Sequence, residues 1–473
     1  MPLGEVAVIC HKYPPYSGGG LAVYAERSLW ALRQAYPELP VTLYTVDYPE
    51  GMPATALLPD GLRVRRPRMP AVIQRRMLRD DVDFGRTGRL IYAAAMALFN
   101  LQTVWQVAVR HRKDAVVAVH DWQSAPAGVV LAILFRRRVV YHVHNTEMTM
   151  VDGGVDYGAS WLIGAFESLL ARLASRVVVP STELREQLAD RGWSRHRITV
   201  VPHGFEEPAH TAYRGLPEAR RRDARAQLRA ELGIAADERV VVFVGRLSRV
   251  KGVHTLMDAV PAVLSRHPKL RVLLLGVGFP GTSESADLNR HVAALGIEDH
   301  VLVYDRDLPP EAVARHYDLA DVCVFPSIFE PFGFVAVEAM SFARPVVLGS
   351  GFTRVICRNE TGPNALVMRT DGAVELSELI AWVLDQPEKA AALATRARDY
   401  VTAELTWRNC IDATVATYRD VAGERKPHAN HVHARLQRAR YYLRQRAACV
   451  SSAARHFGRA GDGNSPSRIG RRL

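Results

Sequence analysis

Residues 325–350 read FPSIFEPFGFVAVEAMSFARPVVLGS. An apolar run ending at Phe325 gives way to a turn holding Pro326, Pro331 and Gly333. A helix-forming stretch starts near Phe334, and a second apolar run covers Pro345 to Leu348. Two buried runs joined through a helix form the parallel βαβ unit. Glu330 falls in the turn and Glu338 about one turn into the helix. The helix start between them presents unpaired N–H groups and a positive end, an arrangement suited to an anion flanked by hydroxyls. Either glutamate alone reads as an ordinary surface acid.

The same rhythm extends along the chain. Strands are expected at 5–10, 41–46, 115–120, 139–144, 176–180 and 198–202, and again at 239–245, 271–276, 300–304, 322–325, 345–348 and 365–368. The rhythm pauses at 209–229. The expected fold class is therefore α/β, with two doubly wound Rossmann-like domains facing a central cleft. Expected boundaries are a first domain at 1–205, a linker at 206–235, a second domain at 236–423 and a basic tail at 424–473. Helices expected at 373–385, 387–405 and 407–422 close the second domain, and one is available to cross back to the first.

Two loops carry chemistry. GRLSRVKG (245–252) places Arg246 and Lys251 past the carboxyl end of a strand, where open α/β sheets bind ligands. A forked guanidinium and a mobile ammonium five residues away suit a diphosphate, although a solvated charged loop has the same composition. After the first strand, Gly18, Gly19 and Gly20 let backbone N–H groups approach a ligand and open a helix, without the GxGxxG spacing of a dinucleotide site. His142 and His144 share a strand face, but no further metal ligands accompany them. Asp305 and Asp307 read as solvated acids.

Composition limits the alternatives. With 473 residues, 48% hydrophobic and 23% charged, the chain is globular and neither disordered nor collagenous. Five scattered cysteines fit a reducing, cytoplasmic setting, and the opening MPLGEVAVIC reads as a strand and not a leader. The longest uncharged run, 90–109, contains Asn100, Gln102, Thr103 and Gln106, so a buried helix is expected ahead of a membrane span or a membrane-surface helix. The formal charge of +12 is uneven: residues 424–473 carry 12 Lys and Arg against two acids. The tail is expected to be partly disordered, with a basic helix near 432–448, and could dock the protein at an anionic membrane. Few aromatics accompany this charge, so specific nucleic-acid binding is not expected. A second basic stretch, RVRRPRMPAVIQRRMLR (63–79), reads as a solvated loop or as an apolar-basic surface patch.

Taken together, these motifs resemble glycosyltransferase family 4, the retaining GT-B enzymes, and less closely the bacterial and archaeal glycogen synthases, over roughly residues 5–420. The pair Glu330 and Glu338 is the most diagnostic element. The resemblance implies that Arg246 and Lys251 hold a donor diphosphate, that Glu330 contacts the donor sugar and that Glu338 binds the ribose. Phe332, Gly333 and Phe334 would line the donor site between them. SGGGLAVYAE (17–26), VHDWQSAPAG (119–128) and YHVHNTE (141–147) are similar to the glycine-rich loop, the His-Asp-Trp segment and the sugar-pocket segment of these enzymes. By that likeness Gly19, Gly20, Asp121, His144 and Asn145 join the site, with His120 as support. One departure stands out: GSGFTRVI (349–356) puts Arg354 where the family usually has an acid.

The resemblance implies retaining transfer of a hexosyl group from a nucleoside-diphosphate sugar (UDP, ADP or GDP) to a hydroxyl of a glycan, an α-glucan included, a lipid or a small metabolite. Arg246, Lys251, Glu330 and His144 would carry catalysis, with no metal or other cofactor. Alternatives are a glycan phosphorylase or a sugar-nucleotide hydrolase or epimerase on the same fold, or a membrane or nucleic-acid binder acting through the basic tail.

Overall fold

The computed structural model describes residues 3–15, 20–47, 52–77, 86–146, 160–278, 284–359 and 362–424. Residues 1–423 form one compact unit. Gly18, Gly19 and the expected tail helix lie outside the described residues.

The first sheet comprises β1 (Val6–Ile9), β2 (Val41–Tyr44), β3 (Thr55–Leu57), β4 (Arg63–Arg65), β5 (Val116–His120), β6 (Arg138–His142), β7 (Arg176–Val179) and β8 (Ile198–Val200). Their order is β3-β4-β2-β1-β5-β6-β7-β8, all parallel except the β3–β4 pair. The second sheet is wholly parallel. It comprises β9 (Arg239–Val244), β10 (Leu270–Gly276), β11 (Val301–Asp305), β12 (Val322–Phe325), β13 (Val346–Leu348) and, beyond a hairpin of β14 (Arg358–Asn359) and β15 (Gly362–Pro363), β16 (Leu366–Val367). The order is β11-β10-β9-β12-β13-β16. In β1, Ala7 and Ile9 enter one core while Val6 and Val8 enter another. Burial on both faces explains why these strands read as continuous apolar runs.

The helix Trp407–Gly423 crosses back: Ile411, Val415 and Tyr418 pack into the core that holds Val6 and Val8. The Tyr418 hydroxyl lies 2.9 Å from His142 Nε2. The joining stretch is itself folded, with helices at Pro208–Arg214 and Glu218–Glu231. Arg221 and Arg225 of the second helix, with Arg344, surround the fully buried Asp318. Burial pushes the Asp318 carboxyl up, but these guanidiniums outweigh it and hold the group below its ordinary value.

Two expectations need correction. The basic stretch 63–79 is not simply a solvated loop: Arg63–Arg65 forms β4 beside β2, Arg66 is buried, and Ala71–Met77 is helical. Sequence reading missed β4 because polar side chains flank its single buried Val64. The helix Arg86–Arg110 is buried on one face only; Phe99 and Val107 are enclosed while Leu90, Leu101 and Trp105 face outward.

Glycines fix the strand ends beside the cleft. Gly245 has φ +145° and Gly276 φ +151°, and a Cβ on Gly276 would lie 1.8 Å from the Gly245 carbonyl oxygen. Gly276→Ala is expected to lower stability by about 3 kcal/mol through strain and clash, read by urea unfolding. An unchanged unfolding midpoint would show that the two loops separate freely.

Candidate active site

An open parallel sheet has a crevice where its strand order reverses, outside the carboxyl ends of the two central strands. Here the reversals fall between β1 and β5 and between β9 and β12. The residues leaving those strands are His11 and Lys12, Asp121, Arg246, and the Pro326–Glu330 turn. Most of the residues expected from sequence therefore arise at the two switch points.

In the first half, Asp121 adopts φ +53°, a left-handed conformation uncommon outside glycine. This turns its buried carboxylate onto the chain leaving β6. Oδ1 accepts hydrogen bonds from the backbone N–H of His144 (2.7 Å) and Asn145 (3.4 Å). Burial raises Asp121 to about 7, opposed by those bonds and by the Lys12 charge. Lys12 is lowered by burial and by Arg246, and supported by Asp121. Arg246 of the second half thus acts electrostatically on the first.

Four histidines cluster beside this point. His144 Nε2 lies 3.0 Å from His120 Nδ1, and His144 Nδ1 lies 3.2 Å from His203 Nε2. His120 stacks on His142 at 4.4 Å between centroids, and Tyr24 packs against His144 and His203. Burial lowers all four, His120 and His203 to about 3, so the cluster is neutral near pH 7. Both ring nitrogens of His144 are committed within it. Contact between that side chain and a sugar requires one of these bonds to be exchanged.

In the second half, Lys251 Nζ makes an ion pair with Glu330 Oε2, with side chains 20% and 14% exposed. The pair sits between tightly apposed loops. Gly252 has φ +73°, and a Cβ there would lie 2.0 Å from the Pro326 carbonyl oxygen. Backbone N–H groups of Ile328 and Glu330 donate to Val250 (3.0 Å) and Gly351 (3.1 Å). Gly333, at φ +89°, opens the helix Phe334–Ser341 without a side-chain cap. A Cβ at Gly20, the start of helix Gly20–Ala35, would lie 3.8 Å from the Phe334 ring. Two helix starts from opposite halves therefore meet, with His203 between Phe332 (5.0 Å) and Phe334 (5.6 Å).

Glu338 is turned onto the buried Tyr317, whose hydroxyl donates to Oε2 at 3.1 Å. Burial raises this carboxyl to about 8, the Tyr317 bond opposing. Across the halves, Glu183 accepts hydrogen bonds from the Thr353 hydroxyl (2.7 Å) and the Arg354 N–H (3.0 Å). A carboxylate from the other half thus stands beside the segment that carries Arg354, the position at which the resemblance implies an acid. Among the described residues, no group of three or more His, Cys, Asp or Glu is placed to hold a metal. Asp305 and Asp307 are exposed, as expected of solvated acids.

Lys12, His203, Tyr24 and Glu183 were missed by sequence reasoning. Lys12 and His203 follow strand ends, the signal that located Arg246. Tyr24 and Glu183 act through packing and a long-range bond that no spacing announces.

Comparison with known proteins agrees with the two-sheet fold. Residues 19–204 match the glycosyl transferase 4-like domain, and residues 224–400 match the glycosyl transferases group 1 family. The chain is 26% identical over 439 residues to the glycogen synthase of Mycobacterium tuberculosis, covering 89% of this chain and 96% of that one. Among solved structures, sucrose-phosphate synthase from Thermosynechococcus elongatus superposes with TM-score 0.66 at 22% identity, covering 88% and 99% of the two chains. Anabaena HepE, in complex with UDP-glucose, superposes with TM-score 0.63 at 19% identity over 88% and 99%. The two family matches and the fold together define a glycosyltransferase of the GT-B class. Within that class the chain is a family 4-like, group 1 glycosyltransferase, similar to glycogen synthases.

The raised Glu338 carboxyl has a consequence for stability. The folded protein retains this proton between its ordinary 4.5 and about 8, so the stabilisation is present at low pH and lost as pH rises through that window. Glu338→Gln is expected to flatten the fall in melting temperature between about pH 5 and 8. Parallel curves for the two proteins would remove Glu338 as the titrating group.

Proposed function

We propose that this glycosyltransferase moves a hexosyl group from a nucleoside-diphosphate sugar to a hydroxyl acceptor with retention of anomeric configuration. The observation carrying this reading is the placement of Arg246, Lys251 and Glu330 at the switch point of the second sheet, where Arg246 acts electrostatically on Lys12 and the Phe334 ring meets the helix start at Gly20. Cations and helix N–H groups converging on one spot suit a dianionic leaving group.

In the proposed step the bond from the anomeric carbon to the diphosphate oxygen breaks while a bond to the acceptor oxygen forms on the same face. The acceptor proton passes to the departing diphosphate. Little general-base chemistry is needed, so the burden falls on stabilising the growing charge of the leaving group. Arg246 forks onto phosphate oxygens, and Lys251, oriented by Glu330, adds a point charge. Charge neutralisation is assigned to these side chains and not to a metal. Glu330 also faces the donor sugar, and Glu338 takes the ribose diol once freed from Tyr317. Gly19 and Gly20 with Phe332, Gly333 and Phe334 frame the donor, while Asp121 shapes the His144–Asn145 turn on the acceptor side.

The donor carries UDP, ADP or GDP, and the acceptor is a glycan, lipid or small metabolite. The likeness to a glycogen synthase favours an α-glucan among these. The four described free cysteines, all buried, fit a cytoplasmic setting.

Lys251→Ala is expected to lower kcat by about 100-fold or more, measured as acceptor-dependent nucleotide release from a panel of sugar nucleotides. Near-normal turnover would remove Lys251 from the mechanism. Proton NMR of the first-formed product is expected to show the donor's anomeric configuration, and an inverted product would overturn retention.

A further inference from the structure

The helix Arg86–Arg110 holds a surface that donor chemistry does not use. Leu101, Trp105 and Val109 repeat every four residues, and Leu90 lies three turns earlier on the same face. Leu90, Leu101 and Trp105 are each about 70% exposed. Ala93, Ala94 and Ala97, also exposed, continue the stripe between them. On the neighbouring helix Ala71–Met77, Val72 is exposed as well. An exposed apolar face of this length, bearing a tryptophan, marks an interaction surface.

Charge identifies what covers it. Residues 61–113 carry 12 Lys and Arg against three acids, whereas the remainder of residues 1–423 carries 37 against 44. The three acids, Asp80, Asp81 and Asp83, lie outside the described residues. The helix itself contains no acid. Arg63, Arg68, Arg75 and Arg110 are exposed, and the backbone ties part of this set to the stripe: Gln102 Nε2 donates to the Arg68 carbonyl at 2.8 Å. Apolar residues rimmed by cations are the pattern of a helix lying in a membrane interface.

We propose that this face docks the protein on an anionic lipid bilayer, with Leu90, Leu101, Trp105 and Val109 at the acyl boundary and the arginines on lipid phosphates. The opposite face of the helix holds Phe99 and Val107 in the core, and Asn100 bonds the helix Asp121–Ile133 through Gln123 and Ala127. The helix therefore lies on the membrane and does not cross it, since crossing would strip that face from its core. A second copy of the chain is a poorer occupant, because apposed faces would bring two arginine rims together. Docking does not depend on the glycosyl-transfer reading.

The test uses the full chain, basic tail included, with vesicles of phosphatidylcholine containing about 30% phosphatidylglycerol. The wild type is expected to co-sediment with these vesicles and to bind neutral phosphatidylcholine vesicles at least about ten-fold more weakly. The double variant Leu101→Glu, Trp105→Glu is expected to lose about ten-fold or more in affinity while keeping the wild-type melting temperature. Bromolipids are expected to quench wild-type tryptophan fluorescence more than that of Trp105→Phe, a readout that does not depend on the double variant folding. Equal vesicle binding by the double variant, or equal quenching in Trp105→Phe, would assign binding to another part of the chain and overturn the proposal. So would a wild type that binds no vesicles, or a wild-type dimer that the double variant converts to a monomer without any vesicle binding.

Discussion

Enclosure of charged groups where the two sheets present their strand ends is the constraint around which the site is built. Lys12 comes off the central strand of the first sheet and Arg246 off that of the second; burial lowers Lys12 first, and the Arg246 charge adds to this. Asp121 supports the Lys12 charge by more than Arg246 opposes it, and Glu330 pairs with Lys251. The proposed anion would join these groups, with the helix starts at Gly20 and Phe334 adding partial positive charge. Parallel sheets make the arrangement possible because all their strands deliver side chains to one edge.

The rest of the site keeps additional charge out. Burial leaves His120, His142, His144 and His203 neutral, so no further cations accumulate beside Lys12. Asp121 and Glu338 are pushed toward their protonated forms by the same enclosure. The close approach at Gly252 lets its backbone pack on Pro326, and Gly333 leaves room for the Phe352 ring and the Glu330 side chain, which holds Lys251 and Glu330 in position. The bonds to Glu183 from the Thr353 hydroxyl and the Arg354 N–H tie one half to a loop of the other.

Much of the fold was legible because burial on both faces writes parallel strands as Val, Ile and Leu runs that periodicity analysis detects. The short strands β3 and β4 at one end of the first sheet were not, since β3 buries no side chain and β4 only Val64, so neither shows an apolar run. The helix Arg86–Arg110 was read as buried because its apolar content was visible and the direction of each face was not. For the site, strand-end position found Arg246, and the same rule would have found Lys12, whereas Asp121 came from the resemblance. The turn–helix pattern located Glu330 and Glu338, the resemblance assigned their roles, and the structure supplied their partners. Lys251 and Tyr317 are bound to them across 79 and 21 residues of sequence, distances over which spacing carries no information.

The proposed function requires the cleft cations to hold a diphosphate. Isothermal titration of the protein with matched nucleoside mono- and diphosphates of uracil, adenine and guanine reads this out. One diphosphate is expected to bind at least about ten-fold more tightly than its monophosphate, and Arg246→Ala is expected to abolish the difference. Equal affinities for the two, or no association with any diphosphate, would contradict the proposed function.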